Sequence, residues 1–170
     1  MNAKTFLRTV AASAVSLATL TPGVAFADIN VGVLISTTGP SAALGRLHQN
    51  AVALFPKEAG KERINYVVLD DQTDPSATVR NAKKLIAEHN IDAVIGATSI
   101  PTSSAILETI TAAHVPQMTL APASPVQAKS PWVFALPQTI PTMSKMLVER
   151  MKADGVKTVA FIGFADPLGD

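Results

Sequence analysis

The 170-residue chain contains no cysteine. Disulfide bonds, thiol nucleophiles and metal sites with thiolate ligands are therefore excluded. The lack of disulfides is compatible with export, because a chain of this size can bury a sufficient hydrophobic core without covalent cross-links.

An excess of charge of one sign is also missing. The formal net charge is +1, from 14 basic and 13 acidic residues. The first 27 residues hold two of the basic residues, Lys4 and Arg8, and no acidic one, so the remainder has 12 basic and 13 acidic residues and a formal charge of −1. This near-neutral charge gives no electrostatic basis for a nucleic-acid partner or a membrane surface.

No apolar run is long enough to span a membrane. Residues 10–20 form a short Ala-rich apolar segment that follows the positive charges of Lys4 and Arg8 and precedes an A-x-A motif at residues 25–27. This layout is typical of a secretory signal peptide. We predict cleavage after Ala27 and a periplasmic location; the alternative is a cytosolic amphipathic N-terminus.

The common catalytic and phosphate-binding motifs are absent, since the chain has no G-x-S-x-G, G-x-G-x-x-G or Walker loop. The histidines at positions 48, 89 and 114 are far apart in sequence, and each is at or near a predicted helix. This spacing favours surface or helix-end roles over metal ligation. We therefore expect no catalytic residue, no metal site and no cofactor.

Three aspartates, Asp70, Asp71 and Asp74, follow the second predicted strand. They could form a calcium or acid–base cluster, but the spacing lacks the glycine and terminal glutamate of a calcium loop. Asp74 followed by Pro75 is typical of a helix start, with a side-chain cap and proline at the first helical position.

Short apolar, partly β-branched runs alternate with apolar residues spaced three and four apart. The predicted strands are residues 30–35, 64–69, 93–95, 117–120, 132–136 and 156–162. The helical spacing lies within residues 44–54, where Leu44, Leu47, Ala51 and Leu54 share it, and within residues 75–89, 101–113 and 143–151. This alternation predicts an α/β fold with a parallel, doubly wound sheet covered by helices on both faces.

The stretch from residue 93 to residue 124 organises the predicted site. Its two strands are followed by loops at residues 97–103 and 121–124, which leave the same carboxyl edge of the sheet, where open α/β sheets bind ligands. Both loops carry small hydroxyl residues and no charge, so they could offer N–H and O–H groups to an anion near a helix N-terminus. The alternative is that these hydroxyls are ordinary caps and turns.

Four segments together resemble the periplasmic solute-binding proteins of ABC transporters, in the branched-chain amino acid (leucine-binding) branch. They are the opening strand and Thr-Gly loop at 28–45, the Asp-rich strand end and Asp-Pro helix at 69–86, the ligand-side strands at 94–97 and 115–124, and the strand at 161–169. The resemblance implies a type I periplasmic-binding-protein-like fold: a first lobe at residues 28–136, a hinge crossing at 137–141, and at 142–170 only the beginning of a second, truncated lobe.

The resemblance also implies ligand-binding positions in the first lobe. Ser99 matches the hydroxyl after the third strand, with Thr98 beside it; Ala123 and Ser124 match the pair after the fourth strand. The loop around Thr38 and Gly39 faces the same cleft. This sequence departs from the family where the first loop has no aromatic ring and where Ile100 and Pro101 replace hydroxyl residues.

The implied function is that of a non-enzymatic, monomeric solute-binding subunit that delivers a branched-chain amino acid or a similar small carboxylate to a membrane permease. The branch also includes members that bind aromatic acids and amides. Two alternatives stay open: an extracytoplasmic sensor on the same fold, and an exported flavodoxin-like hydrolase with a reactive serine. Because residues 142–170 would have no proper sheet to pack on, we expect Met146, Leu147 and Phe161 to be partly exposed.

Overall fold

The computed structural model of the protein describes residues 28–123 and 126–162. The predicted signal peptide and residues 163–170 lie outside the described residues. The strands are β1 (Ile29–Ile35), β2 (Glu58–Ala59), β3 (Glu62–Asp70), β4 (Ala93–Gly96), β5 (Gln117–Thr119) and β6 (Val133–Ala135). The helices are α1 (Ala42–Val52), α2 (Pro75–His89), α3 (Ile100–Ala105), α4 (Leu107–Ala113) and α5 (Ile140–Ala153), with a 3-10 turn at Gln127–Lys129.

The six strands form one sheet in the order β2-β3-β1-β4-β5-β6. Every neighbouring pair is parallel except β2 and β3, a short antiparallel pair at one edge that the sequence pattern did not predict. The chain runs from β1 to one neighbour, β3, and then crosses to the other neighbour, β4. The carboxyl ends of β1 and β4 therefore flank the point where the strand order reverses, as at the ligand crevice of doubly wound sheets.

Helices cover both faces of the sheet, which confirms the predicted α/β, doubly wound architecture. On one face Val33 and Ile35 of β1 pack in a cluster that includes Val52 of α1. On the other face Leu34 packs in a cluster with Leu85 of α2 and Ile110 of α4. The alternation along β1 follows the two-residue period of a strand, and both sides are apolar because both sides are covered.

Helix α2 begins and ends where the sequence predicts. The side chain of Asp74 accepts a hydrogen bond from the backbone N–H of Ala77, and Pro75 occupies the first turn. Asn90 closes the helix in the left-handed conformation with φ 46°, which asparagine tolerates better than most residues.

The predicted helix over residues 101–113 is divided into α3 and α4. The backbone leaves the helical ψ range at Ile106, with φ −90° and ψ 0°. Ile106 and Ile110 are both fully buried, so the predicted inward face is confirmed although the helix is interrupted.

Helix α1 forms as predicted, but the apolar residues that mark it are not the ones that pack. Leu44, Leu47 and Leu54 are 47%, 63% and 86% exposed. The buried residue of the helix is Gly45, where an added Cβ would lie 1.8 Å from the carbonyl oxygen of Ser36. Close approach of the helix to the end of β1 therefore decides which face is turned inward.

The carboxyl-terminal part of the described chain differs from the prediction in one element. Residues 132–136 contain β6 as expected, but residues 156–162 form no strand, so that prediction is wrong. No neighbouring strand pairs with this segment among the described residues, and an apolar β-branched pattern alone forms no sheet. Met146, Leu147 and Phe161 are 66%, 61% and 73% exposed, which confirms the expected exposure. None of the described helices has the length and hydropathy required to cross a bilayer.

Candidate functional site

The residues predicted to bind ligand lie on loops that leave the carboxyl edge of the sheet. Thr38 and Gly39 follow β1, Thr98 and Ser99 follow β4, and Ala123 follows β5. Strands β4 and β5 are hydrogen-bonded neighbours, with Ile95 opposite Met118. The two turns that start at Ala97 and Leu120 are therefore adjacent. Ser124 lies outside the described residues.

The turn after β1 is attached to the end of β3 through Asp70. The carboxylate of Asp70 accepts hydrogen bonds from the backbone N–H groups of Thr37 and Gln72, both at 2.9 Å, and from the hydroxyl of Thr38 at 2.6 Å. Burial opposes the charge, but these hydrogen bonds prevail and hold the pKa of Asp70 below its ordinary value. The hydroxyl of Thr38 thus has a partner within the protein.

Gly39 is needed in this turn for conformation and for space. Its φ is 79°, and a Cβ there would lie 2.1 Å from the carbonyl oxygen of Gln72. The turn after β1 therefore packs directly against the turn after β3, and only glycine fits at the contact.

Asp71, next to Asp70, has the opposite environment. It is fully buried, accepts a hydrogen bond from the hydroxyl of Ser36, and accepts a second from the N–H of Thr73 at 3.0 Å. Burial is the largest influence and raises the pKa of Asp71 above its ordinary value. Asp70 and Asp71 thus both join the turn after β1 to the turn after β3. Asp70 does so as a charged acceptor, and Asp71 does so through a buried carboxyl group.

Thr98 is buried and connects the turn after β4 to the end of β1. Its hydroxyl oxygen accepts the backbone N–H of Ser36 at 3.0 Å and lies 3.3 Å from Nδ1 of His48. Since the oxygen already accepts from Ser36, its own hydrogen is available for donation to an unprotonated Nδ1. Burial lowers the pKa of His48, in agreement with a neutral ring. The side chain of Thr98 is thereby used inside the protein.

His48 lies beside Thr98 in the candidate site, and sequence reasoning misses it because the wide spacing of the histidines favours a surface or helix-end role. It lies within α1 and is half-buried. The signal that could have found it is its spacing from the two other inward residues of the helix, Gly45 and Val52, at intervals of three and four.

Ser99 caps helix α3. Its side chain accepts the N–H of Thr102, and the side chain of Thr102 accepts the N–H of Ser99 at 3.2 Å, which is a reciprocal capping box. The cap is the alternative that the sequence left open for this hydroxyl. A ligand contact by Ser99 would have to be made in addition to the cap.

The turn after β5 is fixed at its first residues. The hydroxyl of Thr119 accepts the N–H of Ala121 at 3.1 Å and donates to the carbonyl of Ala121 at 3.0 Å. Ala121 is buried and Ala123 is half-buried. Residues 97–99 and 121–123 contain no ionisable side chain. The hydroxyls of Thr98 and Ser99 already have partners within the protein, so the adjacent turns offer mainly neutral backbone groups rather than fixed charges. Neutral donors of this kind can bind the head group of a small polar or anionic molecule.

Comparison with known proteins identifies the family to which the chain belongs. The family model for periplasmic binding proteins matches residues 28–170. An extracellular ligand-binding receptor from Rhodopseudomonas palustris is 41% identical, with a TM-score of 0.78 over 84% of this chain and 40% of that protein. A second such receptor, from Rhodopseudomonas palustris HaA2, is 35% identical, with a TM-score of 0.79 over 84% of this chain and 41% of that protein.

The fold is also similar to that of a more distant protein with a bound ligand. This is an ABC transporter solute-binding protein from Rhodopseudomonas palustris BisB5 in complex with 3,4-dihydroxybenzoic acid, at 24% identity and a TM-score of 0.72 over 76% of this chain and 37% of that protein. The chain thus spans about two fifths of the length of these structures. No curated protein matches the chain.

Proposed function

Because the chain belongs to the periplasmic binding protein family, we propose that it is an extracytoplasmic solute-binding subunit of an ABC importer. It captures a small carboxylate, either a branched-chain amino acid or a similar acid, and delivers it to the membrane permease without catalysing a reaction. Residues 1–27 act as the export signal and are removed after Ala27.

The observation that carries this proposal is the pair of uncharged turns at the carboxyl edge, after β4 and after β5. Backbone N–H groups of these turns, together with the hydroxyl of Ser99 in addition to its cap, would stabilise a carboxylate without an opposing charge, which lets the solute leave again. The turn after β1, held by Asp70, forms a third side of the same region.

Closure around the solute requires a second lobe. We assign residues 137–141 to the hinge crossing, the last two of which already belong to helix α5, and residues 142–170 to the start of that lobe. Ligand trapped between two lobes by rotation about such a crossing is desolvated on both sides, which strengthens the polar contacts.

Isothermal titration calorimetry with the complete gene product tests the function. Leucine, isoleucine, benzoate and 3,4-dihydroxybenzoate cover amino acids and aromatic acids, and leucinamide and benzamide serve as the controls in which an amide replaces the carboxylate. We expect saturable heat at one site with at least one of the acids and none with its amide. A folded sample, verified by circular dichroism, that gives no heat with any acid would contradict the proposal.

A further inference from the structure

A group of buried neutral polar side chains lies behind the two turns of the site. We call it the amide–hydroxyl network; its members are Ser103, Gln117, Thr119 and Gln127. All four residues have 0% exposure. They come from α3, from β5 and from the 3-10 turn, the elements that surround the turns after β4 and β5.

The hydroxyl of Ser103 is the centre of the network. It accepts hydrogen bonds from the side-chain amides of Gln117 at 2.9 Å and Gln127 at 3.1 Å. With two donors directed at its oxygen, its own hydrogen is left for the hydroxyl of Thr119, 2.6 Å away. The two amides thus determine the direction of the bond between the two hydroxyls.

The network reaches both turns of the candidate site. At one end the amide of Gln117 donates to the carbonyl of Gly96, the last residue of β4, at 2.8 Å. At the other end Thr119 accepts the N–H of Ala121 and donates to its carbonyl. An unbroken series of hydrogen bonds therefore connects the start of one turn to the start of the other.

This arrangement is more specific than packing would require. Apolar side chains of similar size would fill the same space, whereas each polar member must find its partner or lose free energy in the interior. Every side-chain polar atom of the network has a partner except the carbonyl oxygen Oε1 of Gln117. A shift of either turn would break several of the bonds that are made, so the network favours one geometry over near alternatives.

We propose that the amide–hydroxyl network sets the spacing of the turns after β4 and β5, and that Thr119 is a positioning residue for the solute. The inference rests on the proposed function and adds to it the groups that hold the site in its binding conformation before ligand arrives. Turns ordered in advance do not have to be ordered by the ligand, so affinity is higher.

A matched pair of variants tests this role. Thr119→Val removes the hydroxyl and keeps the shape, whereas Thr119→Ser keeps the hydroxyl and removes a methyl group. We expect Thr119→Val to weaken binding of the acid found by calorimetry about tenfold, and Thr119→Ser to bind within about twofold of the parent. Thr111→Val, at an exposed position of α4, is the control and should bind like the parent.

Amide hydrogen exchange measures the network without any ligand. In Thr119→Val the amide of Ala121 should exchange about tenfold faster than in the parent, while Thr119→Ser preserves its protection. Should Thr119→Val fold poorly, Ser103→Ala removes the centre of the network at a position where alanine favours the helix, and it should show the same two effects.

The outcomes separate the two proposals. Unchanged exchange at Ala121, or equal affinity in Thr119→Val and the parent despite a lower melting temperature, would overturn the positioning role. Suppose that Ala121 exchanges faster in Thr119→Val, but the parent protein binds none of the acids. This result would support the role of the network in ordering the turn and would refute the proposed function instead.

Discussion

At the scale of single residues, the hydroxyl groups of the site have partners within the protein. Thr38 donates to Asp70, Thr98 bonds to Ser36 and lies beside His48, and Ser99 caps α3. These bonds fix the directions of the backbone groups around them. The residue types and their place on the sheet edge could be predicted from the sequence, and a local cap by Ser99 was one of the alternatives. The partners of Thr38 and Thr98 could not be predicted, because they lie about 30 to 60 residues away in the chain.

Substitutions of Ser99 separate its capping role from a role in binding. Ser99→Ala should lower the free energy of unfolding by about 1 kcal/mol through loss of the cap. Ser99→Asp and Ser99→Asn both retain a capping oxygen, so both should be about as stable as the parent in urea denaturation. Only Ser99→Asp adds a negative charge.

The charge should decide binding of an anion. We expect Ser99→Asp to weaken binding of the carboxylate at least about tenfold relative to Ser99→Asn, because like charges repel strongly in a partly desolvated site. The exposed Ser144→Ala is the control for both measurements. Equal affinity of the aspartate and asparagine variants would place the carboxylate elsewhere.

His48 should make stability depend on pH. Its folded pKa is below the ordinary value of 6.5, so between the two values the unfolded chain binds more protons than the folded one. The contribution of His48 to stability is therefore fully present above pH 6.5 and is lost as the pH falls from 6.5 through the folded pKa.

The variant His48→Asn keeps a group that can accept from Thr98 but does not titrate. As the pH falls below 6.5, its urea midpoint should vary less with pH than that of the parent. The raised pKa of Asp71 acts in the opposite direction, but it is common to both proteins and leaves the comparison intact. Parallel pH profiles would show that His48 has no such role.

At the scale of elements, periodicity predicted the main strands and helices, and the N-terminal cap of α2 lies at the predicted residue, Asp74. The inward face of α1 was not predictable from apolar spacing, because a contact with the backbone of Ser36 requires Gly45 there. The structure of residues 156–162, which pair with no strand among the described residues, also could not be predicted from the local pattern. The sequence of this segment is suited to a strand, but pairing depends on a neighbour that the segment itself does not specify.

Gly45→Ala tests the close approach of α1. Alanine favours a helix over glycine, yet the added Cβ would meet the carbonyl group of Ser36. We expect the clash to prevail and to lower the free energy of unfolding by about 1–3 kcal/mol in urea denaturation. Gln49→Ala, on the exposed side of the same helix, should change stability little. An alanine variant at position 45 that is as stable as the parent would contradict the packing described.

At the scale of the whole molecule, the described chain is a covered sheet followed by a segment that packs poorly. Helix α5 has no buried residue, and Val159, Phe161 and Ile162 are 62%, 73% and 97% exposed. In the 170-residue chain we expect amides of residues 156–162 to exchange with solvent much faster than those of β1 and β3. Equal protection of the two regions would show that the segment is packed.

The position of the solute is the property on which the account depends. A crystal structure of the complete polypeptide with its solute tests it most directly. We predict that the carboxylate lies within hydrogen-bond distance of the turns after β4 and β5, at residues 97–99 and 121–124. A solute bound away from both turns, with Ser99 and Ser124 making no contact to it, would contradict the account.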